Sequence, residues 1–519
     1  MISIGTPSRR RSAVIVLAGA AAASLSAFAG MPAGDGGAIP KRPEELSFRA
    51  LEFTPPQASA FRQTLSDGTP VYMAPSKEFP LVNLVFSFKG GDFLDPPDMV
   101  GLAGMTGREM RDGGTTTIKP ADLDEQLDFL ATQAGVSVGD VTTTASMNCL
   151  AGNFDESLKL FIDMLRNPGF DPARLEVARG QYLEKLKTRN DDAGTIQGRE
   201  WPALLYGRDH FEAAEPTEKG VKAISPDAMR AMHKRIFHPG NLIIAVTGDF
   251  DPATMKAKLE KALAGWERGE PVSDPPPPSA TLEPGVYHVQ KDIPQGKVLI
   301  GCRGIQRDDP DFFPLLVMNE ILGGGGFTSR IVQSVRSNEG LAYSAFSRNG
   351  PKVWYPGEFQ AGFQSKNATC ALATRLIFDE LNRIRTEPVT EEELATAKRG
   401  FIETFPRQFE SKPAVLGIFV SDEWTKRPEG YWTAFRDRVN AVSAADVQRV
   451  AQKYLDPTRM AILVVGDWKT IAPGDPTGRA KMADFFGGKV THLPLRDPMT
   501  MEPLPEQPAA APAAAAKGG

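Results

Sequence analysis

The sequence predicts an α+β fold built twice over: two tandem, homologous α/β-sandwich-like domains, each an antiparallel-rich sheet with helices packed on one face. Three observations carry this expectation. Hairpin-like strand runs interleave with pairs of amphipathic helices rather than alternating strictly strand by helix. A proline-rich stretch over 269–284 suits neither sheet nor helix and separates two long segments. Those two segments also share a pattern at one fixed offset.

In the first segment, Leu81 to Phe88 is rich in branched and aromatic residues and reads as a strand. The spacing of Leu123, Leu127, Leu130 and Ala134 predicts a helix. Val136 to Leu150, broken at Gly139 and Asp140, predicts a hairpin, and Leu158, Phe161, Ile162 and Leu165 predict another helix. Ile224-Ser225-Pro226 then opens a helix to Phe237, followed by Pro239, a strand from Leu242 to Val246, and Gly248-Asp249. The second segment repeats the order. Strands fall near Val298 and Leu341, and a helix carries Leu376, Ile377, Leu381 and Ile384. Val442-Ser443-Ala444 opens a helix to Leu455, followed by Pro457, a strand from Met460 to Val464, and Gly466-Asp467. Six residues of this stretch are identical to their counterparts, and a second match sets Leu175, Ala178, Tyr182 and Glu184 against Leu394, Ala397, Phe401 and Glu403. Two matches at nearly the same offset indicate an internal duplication. The expected domains are 47–268 and 285–490, each of about 200 residues and so at the large end for one domain.

The termini read differently. Arg9, Arg10 and Arg11 precede an apolar run from Ala13 to Phe28, and Ala27-Phe28-Ala29 offers a small-x-small cleavage site. This is the order of a secretory signal peptide over 1–29, which predicts export to the periplasm. The stretch 30–46 reads as a flexible lead-in, and 491–519, ending in a Pro/Ala-rich run, as a disordered tail.

Composition narrows the function. The chain has 519 residues, 41% hydrophobic and 24% charged, which suits soluble domains with large cores. Its 59 basic and 64 acidic side chains give a net charge of -5, which argues against a nucleic-acid-binding protein. Beyond the first thirty residues no apolar run is long enough to span a membrane. Cys149, Cys302 and Cys370 are too few and too scattered for a disulfide scaffold or a thiolate zinc site. The four glycines Gly323–Gly326 follow a helical run from Phe312 to Leu322, whereas a dinucleotide fingerprint follows a strand, so no nucleotide site is expected.

Three sets of residues together are similar to a known family. Leu94-Asp95-Pro96-Pro97 leads to Gly101-Leu102-Ala103; each half ends in a Pro, a strand and Gly-Asp; and Leu322-Gly323-Gly324-Gly325 runs on through Ser329-Arg330 to Arg336-Ser337-Asn338-Glu339-Gly340-Leu341-Ala342-Tyr343-Ser344. This pattern, covering about residues 48 to 470, resembles the insulinase-like peptidases, the group of pitrilysin and the mitochondrial processing peptidases. The resemblance implies half of a clamshell, in which two tandem α+β domains face a second such half across a peptide-holding chamber.

Catalytic members of that family carry H-x-x-E-H on the helix that begins at Gly-x-Ala, two zinc-binding His on one face with a Glu to activate the metal-bound water. Here the corresponding positions are Gly104-Met105-Thr106-Gly107-Arg108. Both ligands and the base are gone, at Gly104, Gly107 and Arg108, and a cation stands where the metal would be. Glu184 falls near the position of the third ligand but reads as a helix-surface carboxylate. The five histidines (His210, His233, His238, His288 and His492) contain no i, i+4 pair, and His233 and His238 read as surface or helix-end positions beside Pro239. No metal is expected in this chain, and the resemblance places the zinc in a partner.

The second half keeps what the first lost. In the family's peptidases an Arg and a Tyr seven residues apart contact the substrate near the scissile bond, and Arg336 and Tyr343 match that spacing and context. A guanidinium offers fixed donors to a carbonyl or carboxylate, and a phenol can donate to a developing oxyanion. The expected function is a non-catalytic, substrate-binding subunit of a periplasmic heterodimeric zinc endopeptidase. Its partners would be an H-x-x-E-H chain and peptide substrates, with no nucleic acid and no stable membrane span. The alternative is a structural or peptide-binding pseudopeptidase with no part in catalysis.

Overall fold

The chain folds around two six-stranded mixed sheets whose strand order agrees in five places out of six. The structure is a computed structural model and describes Arg42 and residues 52–505. The expected signal peptide, nearly all of the lead-in and the end of the tail lie outside the described residues.

The first sheet comprises β1 (Arg62–Thr64), β2 (Pro70–Pro75), β3 (Leu81–Lys89), β4 (Gln133–Val138), β5 (Thr142–Leu150) and β6 (Leu242–Gly248), in the order β1-β2-β6-β3-β5-β4. The second comprises β7 (Gly285–Gln290), β8 (Gln295–Arg303), β9 (Ala342–Gly350), β10 (Glu358–Lys366), β11 (Ala461–Gly466) and β12 (Val490–Leu493), in the order β12-β7-β11-β8-β10-β9. The last five strands of each order match one for one. β2 runs parallel to β6 as β7 does to β11, and every remaining pair within these fives is antiparallel. The duplication read from the sequence is thus repeated in the topology.

The helices follow their local signals. In the first half these are α1 (Leu102–Asp112), α2 (Pro120–Phe129), α3 (Phe154–Arg166), α4 (Pro172–Lys187), α5 (Ala193–Tyr206), α6 (Pro226–Ile236) and α7 (Pro252–Leu263). In the second half they are α8 (Phe312–Asn319), α9 (Cys370–Thr386), α10 (Glu391–Thr404), α11 (Lys412–Trp424) and α12 (Ala444–Tyr454). Further helices lie at Glu218–Ala223, before α6, and at Tyr431–Ala441, before α12. The duplicated helices α6 and α12 begin alike: Ser225 and Ser443 each accept a backbone N–H of the first turn, the role an N-cap serine performs.

Each half's own helices cover one face of its sheet, and the other face receives a helix from the opposite half. Along β6, Leu242, Ile244 and Val246 join the core beneath α1, α3 and α6. Ile243 and Ala245 point the other way and share a core with Val415, Leu416, Phe419 and Val420 of α11, from the second half. The reciprocal holds for β11: Ile462 and Val464 face their own helices, whereas Ala461, Leu463 and Val465 pack with Ala193, Ile196 and Leu205 of α5, from the first half. Burying one such aliphatic side chain contributes about 1.5–3 kcal/mol, so the two exchanged helices are a large part of what joins the halves.

Two expectations need correction. The helix read through Ala134 ends at Phe129; Ala131 adopts φ 50 and the chain reverses, leaving Ala134 on β4. The tail expected to be disordered from 491 is ordered through Pro505. Val490–Leu493 forms β12, parallel to β7, and Leu493 and Leu495 pack on the core beneath α5. The strap that follows reaches the first half, where Asn190 Nδ2 donates to the Arg496 carbonyl at 2.7 Å and Glu218 N to that of Met499 at 2.7 Å. Its leucines and backbone hydrogen bonds outweigh a composition that suggests disorder.

Candidate functional site

The helix that aligns with a zinc-binding helix is α1. It starts from Gly101, at φ 97, a left-handed conformation that suits glycine. The Asp95 carboxylate accepts the backbone N–H groups of Gly101 and Ala103, both at 2.7 Å, and so anchors the helix N-terminus. Burial pushes the Asp95 carboxyl up to about 6, against those two donors, and pushes neighbouring Asp92 up to about 7, helped by Asp95 and Asp140.

This helix does not fit a zinc ion. A Cβ at Gly104 would meet nothing nearer than Asp92 Oδ1 at 3.9 Å, but a Cβ at Gly107 would lie 2.7 Å from Val138 Cγ2 and 3.1 Å from Val136 Cγ1. The edge strand β4 therefore occupies the space a general base would need. Arg108 donates to Gln181 Oε1 at 2.5 Å and to Asp112 Oδ2 at 3.3 Å, so its cation is committed to α4 and to its own helix. Glu184 is 71% exposed and pairs with Lys187, as its surface reading expects. Among the described residues no group of three or more His, Cys, Asp or Glu is arranged to hold a metal.

Beside Arg108 lies a group that no sequence motif singles out. Glu109 is buried on α1 with Oε1 4.0 Å from Arg108 Nε, and neither carboxylate oxygen has a hydrogen-bond partner among the described residues. Burial raises its carboxyl to about 7, with Asp112 adding to the effect and Arg108 opposing it.

The histidines are structural. The reading of His233 and His238 as helix-end positions holds, but His238 is buried, not at the surface. His233 Nε2 donates to the Leu165 carbonyl at 2.7 Å, and His238 Nδ1 accepts the Gly240 N–H at 3.1 Å. His288 and His492, one strand apart, meet Nδ1 to Nδ1 at 2.9 Å. Because His288 Nε2 donates to the Gly466 carbonyl at 3.0 Å, its Nδ1 accepts, and His492 supplies the proton. Burial holds the His288 imidazole down at about 4, so the pair is neutral on that side.

The chain between α8 and β9 builds the second cluster. After α8 it makes π-helical turns at Glu320–Gly324 and again at Gln333–Asn338, a form often found at functional sites. At Gly323 a Cβ would sit 2.5 Å from Ser347 N, so glycine lets this turn lie directly on β9. Ser329 Oγ donates to the Gly326 carbonyl at 2.7 Å, and Arg330 grips Glu393 bidentately at 2.6 and 2.8 Å. That grip holds the Glu393 carboxyl down at about 2 while the same carboxyl caps α10, so Ser329 and Arg330 shape the loop.

On this scaffold Arg336 and Tyr343 come together, with a third residue the motif reading left unassigned. The Arg336 guanidinium carbon lies 4.7 Å from the Tyr343 ring centroid and 4.4 Å from that of Phe327. Tyr343 is 85% exposed and Phe327 62%, so neither is a core residue. The exposed aromatic within the glycine run was the available signal for Phe327. Among the described residues the half-buried Arg336 guanidinium has no ion pair and no hydrogen-bond acceptor, and its contacts are with the two rings. β9, which carries Tyr343, is an edge strand of the second sheet.

Comparison with known proteins agrees with this geometry. Residues 223–401 match the model of the peptidase M16 inactive domain. The chain is 22% identical over 406 residues to a non-peptidase homolog, YmxG, of Helicobacter pylori, covering 77% of this chain and 92% of that one. It superposes on the crystal structure of a peptidase M16 inactive domain from Pseudomonas fluorescens with a TM-score of 0.70 and 23% identity, covering 78% of this chain and 97% of that chain. It also superposes on the periplasmic protease PqqL from Escherichia coli with a TM-score of 0.66 and 15% identity, covering 78% of this chain but 45% of PqqL.

Proposed function

The chain belongs to the insulinase-like (M16) peptidase family, as a member without a metallopeptidase site of its own, and from that premise we propose that it is the substrate-holding subunit of an exported zinc endopeptidase pair. A second chain bearing H-x-x-E-H supplies the metal and the activated water; this chain supplies Arg336 and Tyr343. The observation that carries the reading is the contrast between the halves. At α1 the zinc positions are empty of ligands and closed by β4 and by the Arg108–Gln181 contact. At the start of β9 the Arg336–Tyr343 pair is assembled, with the Tyr343 ring exposed and the Arg336 guanidinium without an ion-pair partner among the described residues.

The chemistry asked of this chain is modest. Edge strand β9 offers unpaired backbone groups to an extended peptide, which can add to it as a further strand. Arg336 fixes a carbonyl or carboxylate of that peptide, and the Tyr343 hydroxyl donates to the oxyanion that develops at the partner's metal. The match to less than half of PqqL supports a half-sized unit that works against a second one. The signal-like segment 1–29 supports export to the periplasm.

Reconstitution tests the reading. The chain alone should not cleave an unstructured peptide, and mixing it with an H-x-x-E-H chain of the same family should. Tyr343→Phe should then lower turnover by about 10²–10³, the cost of one aligned oxyanion donor, without removing the partner's zinc. A purely structural subunit predicts wild-type turnover for Tyr343→Phe and for Arg336→Ala, and that result would end the proposal.

A further inference from the structure

The Phe327–Arg336–Tyr343 cluster holds its cation against two rings and without the neutralising acid that sequence proximity offers. Glu339 stands three residues beyond Arg336, yet it is turned to a different arginine. Arg479, from the chain after β11, takes both Glu339 oxygens at 2.8 and 2.7 Å. Arg479 is itself set by a tight turn. The buried Asp475 accepts from Thr477 N at 3.1 Å and from Arg479 N at 3.3 Å, and Gly478 N returns to the Asp475 carbonyl at 2.8 Å. Gly478 takes φ 75, which keeps the turn closed. A second loop thus engages the Glu339 carboxylate with Arg479, and Glu339 makes no ion pair with Arg336.

Building on the reading of this cluster as a peptide-holding site, we propose that Arg336 binds a carboxylate of the peptide, with an apolar neighbour of that carboxylate resting on Phe327, and that Arg479 is the positioning residue that keeps the site open. A guanidinium held against two exposed rings and given no acceptor among the described residues keeps its N–H donors for a ligand, and their fixed fork matches two carboxylate oxygens. A neutral carbonyl uses one such donor; a carboxylate uses two and also neutralises the charge. The exposed Phe327 ring supplies apolar contact area beside the fork. Two carboxylates share this chemistry: an acidic side chain and a free peptide C-terminus.

The test is fluorescence anisotropy with the mature chain and three labelled decapeptides that differ only in charge. The first has a central Leu-Glu and an amidated C-terminus, the second Leu-Gln and an amidated C-terminus, and the third Leu-Gln and a free C-terminus. The first, the third or both should bind about tenfold more tightly than the second, and which of them does identifies the source of the carboxylate. Arg336→Gln should remove the preference. Arg479→Ala should weaken carboxylate binding severalfold by releasing Glu339, and Arg479→Ala combined with Glu339→Gln should recover it, which a merely structural role for Arg479 does not predict. Equal binding of all three peptides, still lost in Arg336→Gln, would overturn the carboxylate preference and leave the peptide site standing. Binding untouched by Arg336→Gln, or no binding of any peptide, would overturn both. An Arg479→Ala protein that binds like wild type, or one not rescued by the second substitution, would remove Arg479 from the proposal.

Discussion

Glu109→Gln should stabilise this protein above neutral pH and leave it unchanged in acid. Glu109 is buried at 1% side-chain exposure with neither oxygen hydrogen-bonded and Arg108 Nε 4.0 Å away, and its carboxyl rises from about 4.5 to about 7 on folding. A carboxyl whose pKa is raised by folding binds more protons in the native than in the unfolded state, so stability falls as pH rises between the two values. Below about pH 4.5 both states are protonated and the group costs nothing through ionisation. Above about pH 7 both are charged, and a shift of this size corresponds to about 3 kcal/mol of lost stability. Glutamine keeps the shape and cannot ionise. Urea unfolding of wild type and Glu109→Gln at pH 4.5, 6, 7 and 8 should show a stability difference that opens from near zero to about 3 kcal/mol. Asp92 and Asp95, raised in the same sense, act equally on both proteins and drop out of the comparison. A difference that stays constant from pH 4.5 to 8 would refute the account of Glu109 as a buried, titrating acid.

Other substitutions test other parts of the argument. Restoring the peptidase motif with Gly104→His, Gly107→Glu and Arg108→His should not produce stoichiometric zinc by elemental analysis, because Val136 and Val138 occupy the space at position 107; Gly107→Glu alone should cost about 1–3 kcal/mol of stability as overpacking does. Truncation after Lys489 removes β12 and the strap with Leu493 and Leu495, and should lower stability by about 2–4 kcal/mol in a thermal melt, with no change if the tail were unstructured. Export predicts cleavage after Ala29, so N-terminal sequencing of periplasmic protein should begin at Gly30, and a retained Met1 would count against it.

What the sequence made legible was what is written locally. Ser225 and Ser443 announce their helices because an N-cap acts within three residues, and Gly139-Asp140 marks a turn where β4 gives way to β5. The lost zinc site was also local, since two histidines four apart either exist or do not. The exchanged helices were half legible. β6 and β11 are buried along nearly their whole length, which signals that both faces are covered, but nothing near them says that the cover comes from the other half. The tail misled because its composition resembles disorder, while the few residues that order it find their partners on β7 and α5. At the candidate site the motif placed Arg336 and Tyr343. It could not show that Arg479, far along the chain, pairs with Glu339. The buried state of Glu109 was hidden for the same reason, because a glutamate on a helix usually faces water.

The swapped helices α5 and α11 also constrain how the molecule can move. A hinge at the proline-rich crossover would have to pull α11 off the first sheet and α5 off the second together, exposing both apolar faces to water. That penalty makes the crossover a seam instead of a joint: cutting the peptide there should leave two fragments that stay together and sediment as one particle. In the proposed pair, a gaping motion that admits a peptide opens where the two chains meet, with this chain's own two halves travelling as a single jaw.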